Sequence, residues 1–293
     1  PNLYYRVETT RRKDAFVADY VRSHPGESGI IYCATRKNVD AVQEMLRGED
    51  ISAARYHAGM TNEERRQSQN DFIYDTAPVI VATNAFGMGI DKSNVRYVIH
   101  YNMPQSMENY YQEAGRAGRD GLPSQCILLF SPQDIVINRF LLDHKENDDL
   151  DDEAADLLRA RDNQRLQAMA NYCQTTGCLR NYILRYFGEE PAEPCGSCGN
   201  CDREFEEVDM TAQAKWMINC VAETRGRYGK GVVLNTLRGA NMARLRELGA
   251  MDYRSYGQLK DCTRDELDCL LAQLLEEGYL VQTDDQYAVL HMG

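Results

Sequence analysis

Between residues 27 and 142 short β-branched runs alternate with amphipathic stretches, an order that few folds accommodate. GIIYCA (29–34), ISAARYH (51–57), PVIVAT (78–83), VRYVIHY (95–101) and QCILLF (125–130) read as strands. KNVDAVQEMLRG, NEERRQSQNDFIYD and SMENYYQEAGRAG, which lie between them, read as helices. A helix joining two strands carries the chain back to the end it started from, so the strands run parallel. The expectation is an α/β domain, a mostly parallel sheet covered by helices. Helix boundaries agree: Thr61 and Glu64 are spaced as a capping box, and Ser131 followed by Pro132 starts the last helix of the unit.

Downstream the pattern changes. Residues 153–188 read as helical with Tyr172, Tyr182 and Phe187 interspersed, and 189–203 form a Pro/Gly/Cys loop. Short helices are predicted near 212–224, 231–238 and 264–277, followed by a hairpin, LVQT and QYAVL about an Asp284-Asp285 turn. Helices that end in a hairpin suggest a winged helix. The division expected is 1–145, 146–208 and 209–293.

The formal charge of −12, from 45 acids and 33 bases, argues at face value against a polyanion binder. It is segregated, however. Residues 143–162 carry −6, 189–209 carry −7 and 261–293 carry −7, while 1–142 are nearly neutral and 211–260 carry +6. The acidic runs read as solvated linkers or helix faces. The basic stretch restores nucleic acid as a partner, with binding confined to one face and sensitive to salt.

No run approaches the roughly 20 apolar residues of a membrane span, and the first residues lack the apolar core of a signal peptide. An intracellular, soluble protein is expected, and the start at Pro1 suggests a processed protein or a piece of a longer one. In a reducing compartment, ten clustered cysteines point to metal more than to disulfides.

Cys195-Gly-Ser-Cys198-Gly-Asn-Cys201 places three thiols on a loop whose glycines let it fold around one centre. Tetrahedral zinc needs a fourth ligand, for which Cys178 is the leading candidate and Cys173 the rival. An iron–sulfur cluster is the lesser alternative, because no x3-Cys-Pro follows Cys201. Four thiolates leave no open position for water, so a structural role follows, one Zn2+ per chain. Cys33, Cys126, Cys220, Cys262 and Cys269 fall in apolar patterns and are expected to be buried.

The segment Tyr111 to Asp120, YQEAGRAGRD, would on a helix put Gln112, Arg116 and Arg119 on one face beside small residues. Two guanidiniums on such a face suit a phosphate chain. ATNAFGMGID (82–91) leaves a strand into a Gly-rich loop at the sheet's carboxyl end, where ligands bind in open α/β folds. No GxxxxGK[ST] loop and no Asp-Glu-x-His box occurs in the sequence.

GIIYCATRK (29–37), YHAGM (56–60), VIVATNAFGMGIDKSNVRYVIHYNMP (79–104) and YYQEAGRAGRDG (110–121) together resemble motifs IV, V and VI of superfamily-two helicases in their RecQ form. The cysteine run after YFGE and the downstream GRYGKG and LRGAN extend the likeness along nearly the whole chain; Ser93, where the family usually has Pro, is a local departure. The resemblance implies a second RecA-like domain, a zinc-binding region and a winged helix of an ATP-dependent 3′→5′ DNA helicase. Roles in replication, recombination and repair, including the SOS response, are implied with it. It also implies that ATP and Mg2+ bind only with a first RecA-like domain, which this sequence lacks, so that the chain alone is inactive.

Residue by residue, Arg119 matches the arginine finger, Arg116 and Gln112 couple nucleotide to domain closure, and Gly89 and Asp91 lie at the nucleotide. Thr35, Arg36, His57 and Thr83 match contacts to the tracking strand. The basic winged-helix stretch adds Arg227, Tyr228, Lys230, Arg238, Asn241 and Arg244 as DNA contacts, the tyrosine suited to stack at a duplex end. The implied partner is DNA at single-strand/duplex junctions, with a single-stranded-DNA-binding protein or topoisomerase as protein partner. A monomer in the bacterial nucleoid or the nucleus is expected, away from membranes. A standalone regulatory DNA-binding protein and an RNA-remodelling helicase are the alternatives.

Overall fold

The computed structural model describes residues 2–86, 92–143, 152–191, 193–203, 208–283 and 288–293. The chain forms two compact units, one of residues 1–155, 161–173 and 177–203, the other of residues 156–160, 174–176 and 204–293.

The first unit is built on a six-stranded sheet: β1 (Leu3–Thr9), β2 (Ser28–Tyr32), β3 (Ala53–Tyr56), β4 (Val79–Ala82), β5 (Val95–His100) and β6 (Ser124–Phe130), in the order β1-β6-β5-β2-β4-β3. Every pairing is parallel. Such a sheet is covered on both faces, which is why β2 and β4 are buried at every position and read as unbroken apolar runs. On one face α1 (Lys13–Ser23) and α2 (Arg36–Gly48) bury Val17, Val21, Val39, Val42 and Leu46 against Ile31, Val81 and Ile99. On the other, α3 (Asn62–Ile73), α4 (Met107–Ala114) and α5 (Pro132–Asp143) pack with α6 (Asp152–Gln174) and α7 (Leu179–Tyr186) around Phe72, Tyr110, Met169 and Tyr172. Thr61 and Glu64 close the expected capping box at α3.

β1 and α1 precede the alternating pattern expected from residue 27 onward and extend the sheet by one edge strand. Within the zinc-region segment, α6 and α7 occupy the stretch expected to be helical.

The second unit holds α8 (Thr211–Thr224), α9 (Lys230–Leu237), α10 (Ala243–Glu247), α11 (Arg264–Glu276) and the antiparallel pair β7 (Leu280–Gln282) and β8 (Leu290–Met292). Met217, Leu234, Leu237, Leu267, Leu271 and Leu290 form its own core. Leu280 pairs with Met292, and Thr283 N–H donates to Val289 O at 2.8 Å; the expected turn falls on Asp284 and Asp285. Those two aspartates lie outside the described residues. An isolated Gly229–Val289 bridge and the Leu290 N–H bond to Tyr228 O (3.1 Å) tie the start of α9 to this pair in the winged-helix unit.

Gly29 faces Tyr97 across β2 and β5, and a Cβ there would lie 1.9 Å from the Tyr97 ring. Tyr97 is fully buried and edge-on to Tyr20, so the ring has nowhere to retreat. Gly29→Ala should therefore destabilise the first unit by at least about 1–3 kcal/mol, the usual cost of overpacking. The urea midpoint of its unfolding measures this, and an unchanged midpoint would show that the ring can move.

Candidate functional site

The Sγ atoms of Cys178, Cys195, Cys198 and Cys201 lie within 4.8 Å of one another, with Cys195 and Cys201 at 3.9 Å. Tetrahedral zinc with bonds near 2.3 Å separates its sulfurs by roughly 3.8 Å, so the donor set fits the ion. Cys178 caps α7, its sulfur accepting from Asn181 N (3.4 Å) and Cys195 N (3.3 Å). Burial opposes ionisation of Cys195, but hydrogen bonds from Ser197 N–H and neighbouring groups outweigh it and bring the thiol down to about 7. Burial and the adjacent sulfurs push Cys201 up to about 12. The Cys195 thiolate forms readily, whereas that of Cys201 does not unless a cation neutralises it. Cys173 is outside the cluster, in the core, where burial pushes its thiol well above the ordinary value. Of the cysteines expected to be buried, Cys33, Cys126 and Cys220 are; Cys262 is half-buried and Cys269 exposed, because the outer side of α11 carries it.

The metal loop is joined to the edge strand β1. Gly199 N–H donates to Tyr5 O (2.8 Å), Arg203 to Val7 O (3.0 Å) and Arg180 to Leu3 O (2.5 Å). Tyr4 OH donates to Asp202 (2.7 Å). A Cβ on Gly199 would sit 3.3 Å from the Arg6 Cα, which is why glycine stands there.

The arginine-bearing segment departs from the helix expected. α4 ends at Ala114, and the chain tightens into i→i−3 bonds, Arg116 N–H to Glu113 O (3.2 Å) and Ala117 N–H to Ala114 O (3.1 Å). Gly118, at φ +59°, then turns it, in a space where a Cβ would strike Ser124 and Leu122. Gln112 is thus on the helix while Arg116 and Arg119 lie on the turn beyond, not on one helical face. The turn is latched to the sheet. Gly118 N–H donates to Val95 O (2.9 Å), and Arg96 holds both Asp120 oxygens at 2.6 Å, which lowers the Asp120 carboxyl below its ordinary range. The Tyr32 hydroxyl donates to Phe86 O (3.1 Å) close to the Arg116 guanidinium, its ring stacks on buried His100, and His100 Nε2 pairs with Glu113 (2.9 Å). Gln112 and Arg119 are exposed. Gly89 and Asp91 lie outside the described residues.

Thr35, His57 and Thr83 follow β2, β3 and β4, so the sheet gathers them with Arg36 at the carboxyl ends of three adjacent strands. Thr35 caps α2 through Asn38 N (3.2 Å), and Arg36 is exposed above Gly59. His57 is buried: its Nδ1 accepts from Gly59 N–H (3.2 Å) and its Nε2 donates to Asp40 (3.1 Å). That leaves no ring nitrogen for a strand phosphate, and the ring instead supports the loop. Burial opposes ionisation of Asp40, but bonds from His57 and Arg55 outweigh it and hold the carboxyl below the usual range. Thr83 is also buried, with its N–H on Tyr56 O (3.1 Å). Asp40 and Arg55 carry no sequence signal for this role, since their meeting is tertiary.

In the second unit Arg227, Arg238, Asn241 and Arg244 are exposed and Tyr228 is half-buried. Lys230 opens α9 but pairs with Asp268 (3.1 Å), so part of its charge is already spent inside the unit. Arg246 and Arg254, exposed on the same basic stretch, add two further cations that the sequence motifs do not mark.

A parallel α/β unit with a latched two-arginine turn, a four-thiolate centre and a basic winged helix define a nucleic-acid helicase core segment. Family comparison agrees: residues 12–121 match the helicase conserved C-terminal domain, 132–202 the RecQ zinc-binding domain and 204–293 the RQC domain. The chain is 40% identical over its whole length to ATP-dependent DNA helicase RecQ of Bacillus subtilis, covering 48% of that protein. It is 34% identical over 98% of its length to RecQ of Pasteurella multocida, covering 44% of it. Over 96% of its length it is 35% identical to ATP-dependent DNA helicase hus2/rqh1 of Schizosaccharomyces pombe, covering 21% of it. The chain belongs to the RecQ family and spans just under half the length of the two bacterial relatives. Its zinc site is structural.

Native mass spectrometry should find one zinc per chain, and chelation should speed amide exchange in β1 before it affects the second unit. Zinc absent from the purified chain, or β1 exchange indifferent to chelator, would contradict this.

Proposed function

We propose that this chain forms the second RecA-like domain, zinc module and winged helix of an ATP-dependent 3′→5′ DNA helicase, with divisions near 145 and 208. The observation that carries the reading is the latched turn bearing Arg116 and Arg119 in the same chain as a basic winged helix. Nucleotide held against a first RecA-like domain would supply phosphoryl-transfer energy. The side chains of this chain would respond to it. Arg119 would reach the terminal phosphate, with Arg116 and Gln112 relaying closure to the sheet through Tyr32 and Gly118. Gly89 and Asp91 would sit at the nucleotide.

Thr35 and Arg36 would hold the tracking strand by its phosphates, as translocation has to be indifferent to sequence, while His57 and Thr83 shape that edge from beneath. Arg227, Arg238, Asn241 and Arg244 would hold duplex ahead of the junction, with Tyr228 and Lys230 framing the start of α9. Among the described residues no helix is long and apolar enough to cross a membrane. The proposed place of action is on DNA, in the nucleoid or nucleus. A single-stranded-DNA-binding protein or a topoisomerase at the same junctions is the partner class this reading carries.

The chain should bind forked DNA weakly, and Arg227→Ala with Arg238→Ala should lower the salt slope of log K by about 1 per lost phosphate contact. Anisotropy across a salt series on DNA and RNA forks reads both points, and equal affinity for RNA would favour an RNA-remodelling role. In the complete enzyme, Arg119→Ala should cut ATP turnover by about 10³-fold or more while nucleotide affinity changes little. Steady-state kinetics with a nucleotide-binding assay test this, and matching losses in both would argue for a binding role only.

A further inference from the structure

A second crevice opens at the carboxyl edge of the sheet, apart from Thr35, Arg36, His57 and Thr83. β1 and β6 are neighbours, yet β1 leads to α1 on one face and β6 leads to α5 on the other. The two connections part at this point and leave a cleft of about 540 Å³ between residues 10–14 and 131–134. Crevices where strand connections diverge to opposite faces are the places where open α/β sheets take ligands.

The cleft has a definite polarity. Its two carboxylates are already engaged: Asp134 accepts from Lys13 Nζ (2.7 Å), Ser131 N (2.8 Å) and Asn102 Nδ2 (3.1 Å), and Asp14 accepts from Tyr101 OH (2.8 Å). Arg11 and Arg12 are exposed on its rim, and neither has a carboxylate partner among the described residues. Asn38, in the lining, donates to Asn102 (3.0 Å) and belongs to the α2 turn that starts with Thr35 and Arg36. The cleft is therefore continuous with the proposed strand contacts, and it offers two planar guanidiniums above a floor in which Lys13 neutralises Asp134 while Asp14 keeps its charge under the Tyr101 hydroxyl, so that cations still outnumber carboxylates. That chemistry suits a singly charged, open-ended phosphate.

We propose that this cleft binds a phosphodiester of the single strand, with Arg11 and Arg12 as its ligands, extending the strand's path from β2 towards β1. The proposal rests on the nucleic-acid reading of the chain. Arg11→Ala with Arg12→Ala, in the chain as it stands, should weaken binding of a fluorescent dT20 by roughly tenfold at low salt. It should also lower the salt slope of log K by about 1.4, or 0.7 for each of two contacts to a single strand. Arg11→Lys with Arg12→Lys should restore the slope while recovering only part of the affinity, and thermal midpoints equal to the unsubstituted chain would exclude misfolding as the cause. An unchanged slope and affinity, with Arg36→Ala still weakening the oligonucleotide, would overturn the cleft assignment and leave the helicase reading standing. Failure of the unsubstituted chain to bind dT20 would overturn both. A loss confined to 5′-phosphorylated oligonucleotide would mark the site as one for terminal phosphates and overturn the phosphodiester assignment.

Discussion

The hydrogen bond from Gly199 to Tyr5 is the contact on which the first unit's integrity turns. An edge strand in a parallel sheet has carbonyls facing outward, and Leu3, Tyr5 and Val7 would leave theirs open to any passing strand. Arg180, Gly199 and Arg203 meet these three in succession. Two of the three donors flank or lie within the cysteine run. The metal therefore does more than order a loop with little apolar core: by fixing that loop it closes the sheet's exposed border, so folding of the α/β layer and loading of the centre are linked. Glycine at 199 and cysteines at 198 and 201 form one requirement, close backbone approach on one side and sulfur convergence on the other.

The same sheet explains where function can sit. A parallel sheet buried on both faces leaves only its ends accessible, and at the carboxyl end the connections diverge wherever neighbouring strands send their helices to opposite faces. Thr35, Arg36 and the Arg11–Arg12 rim stand at that end. The arginine turn is anchored elsewhere, at the start of β5 through Val95 and Arg96. Signals between the two must then run along β5 and through the Tyr32, His100 and Glu113 contacts, which join the strand ends to the turn by stacked rings and one buried pair.

Much of this was legible beforehand because its causes are local. Five of the six strands carry their own apolar periodicity, the α3 cap is written in Thr61 and Glu64, and the cysteine run marks three of the four zinc ligands, with the choice of Cys178 over Cys173 left to the fold. β1 escaped because charged Arg6 and Glu8 interrupt it, although Tyr5 and Val7 alternate correctly and are both buried. The arginine segment misled because its composition suits a helix, while Gly118 must take a left-handed turn to let Asp120 reach Arg96. In the hairpin, the pairing of Leu280 with Met292 is set by Leu280 and Leu290 reaching the core. His57 offered polar chemistry in a promising place, and only the fold reveals that Asp40 and Gly59 consume both nitrogens.

Gly29 and Tyr97 share one volume across β2 and β5, since the ring occupies the room a side chain at 29 would need. Neither position is free to drift alone. Among relatives the two should change together, a larger residue at 29 accompanied by a smaller one at 97, so that the history of one strand is recorded in its neighbour.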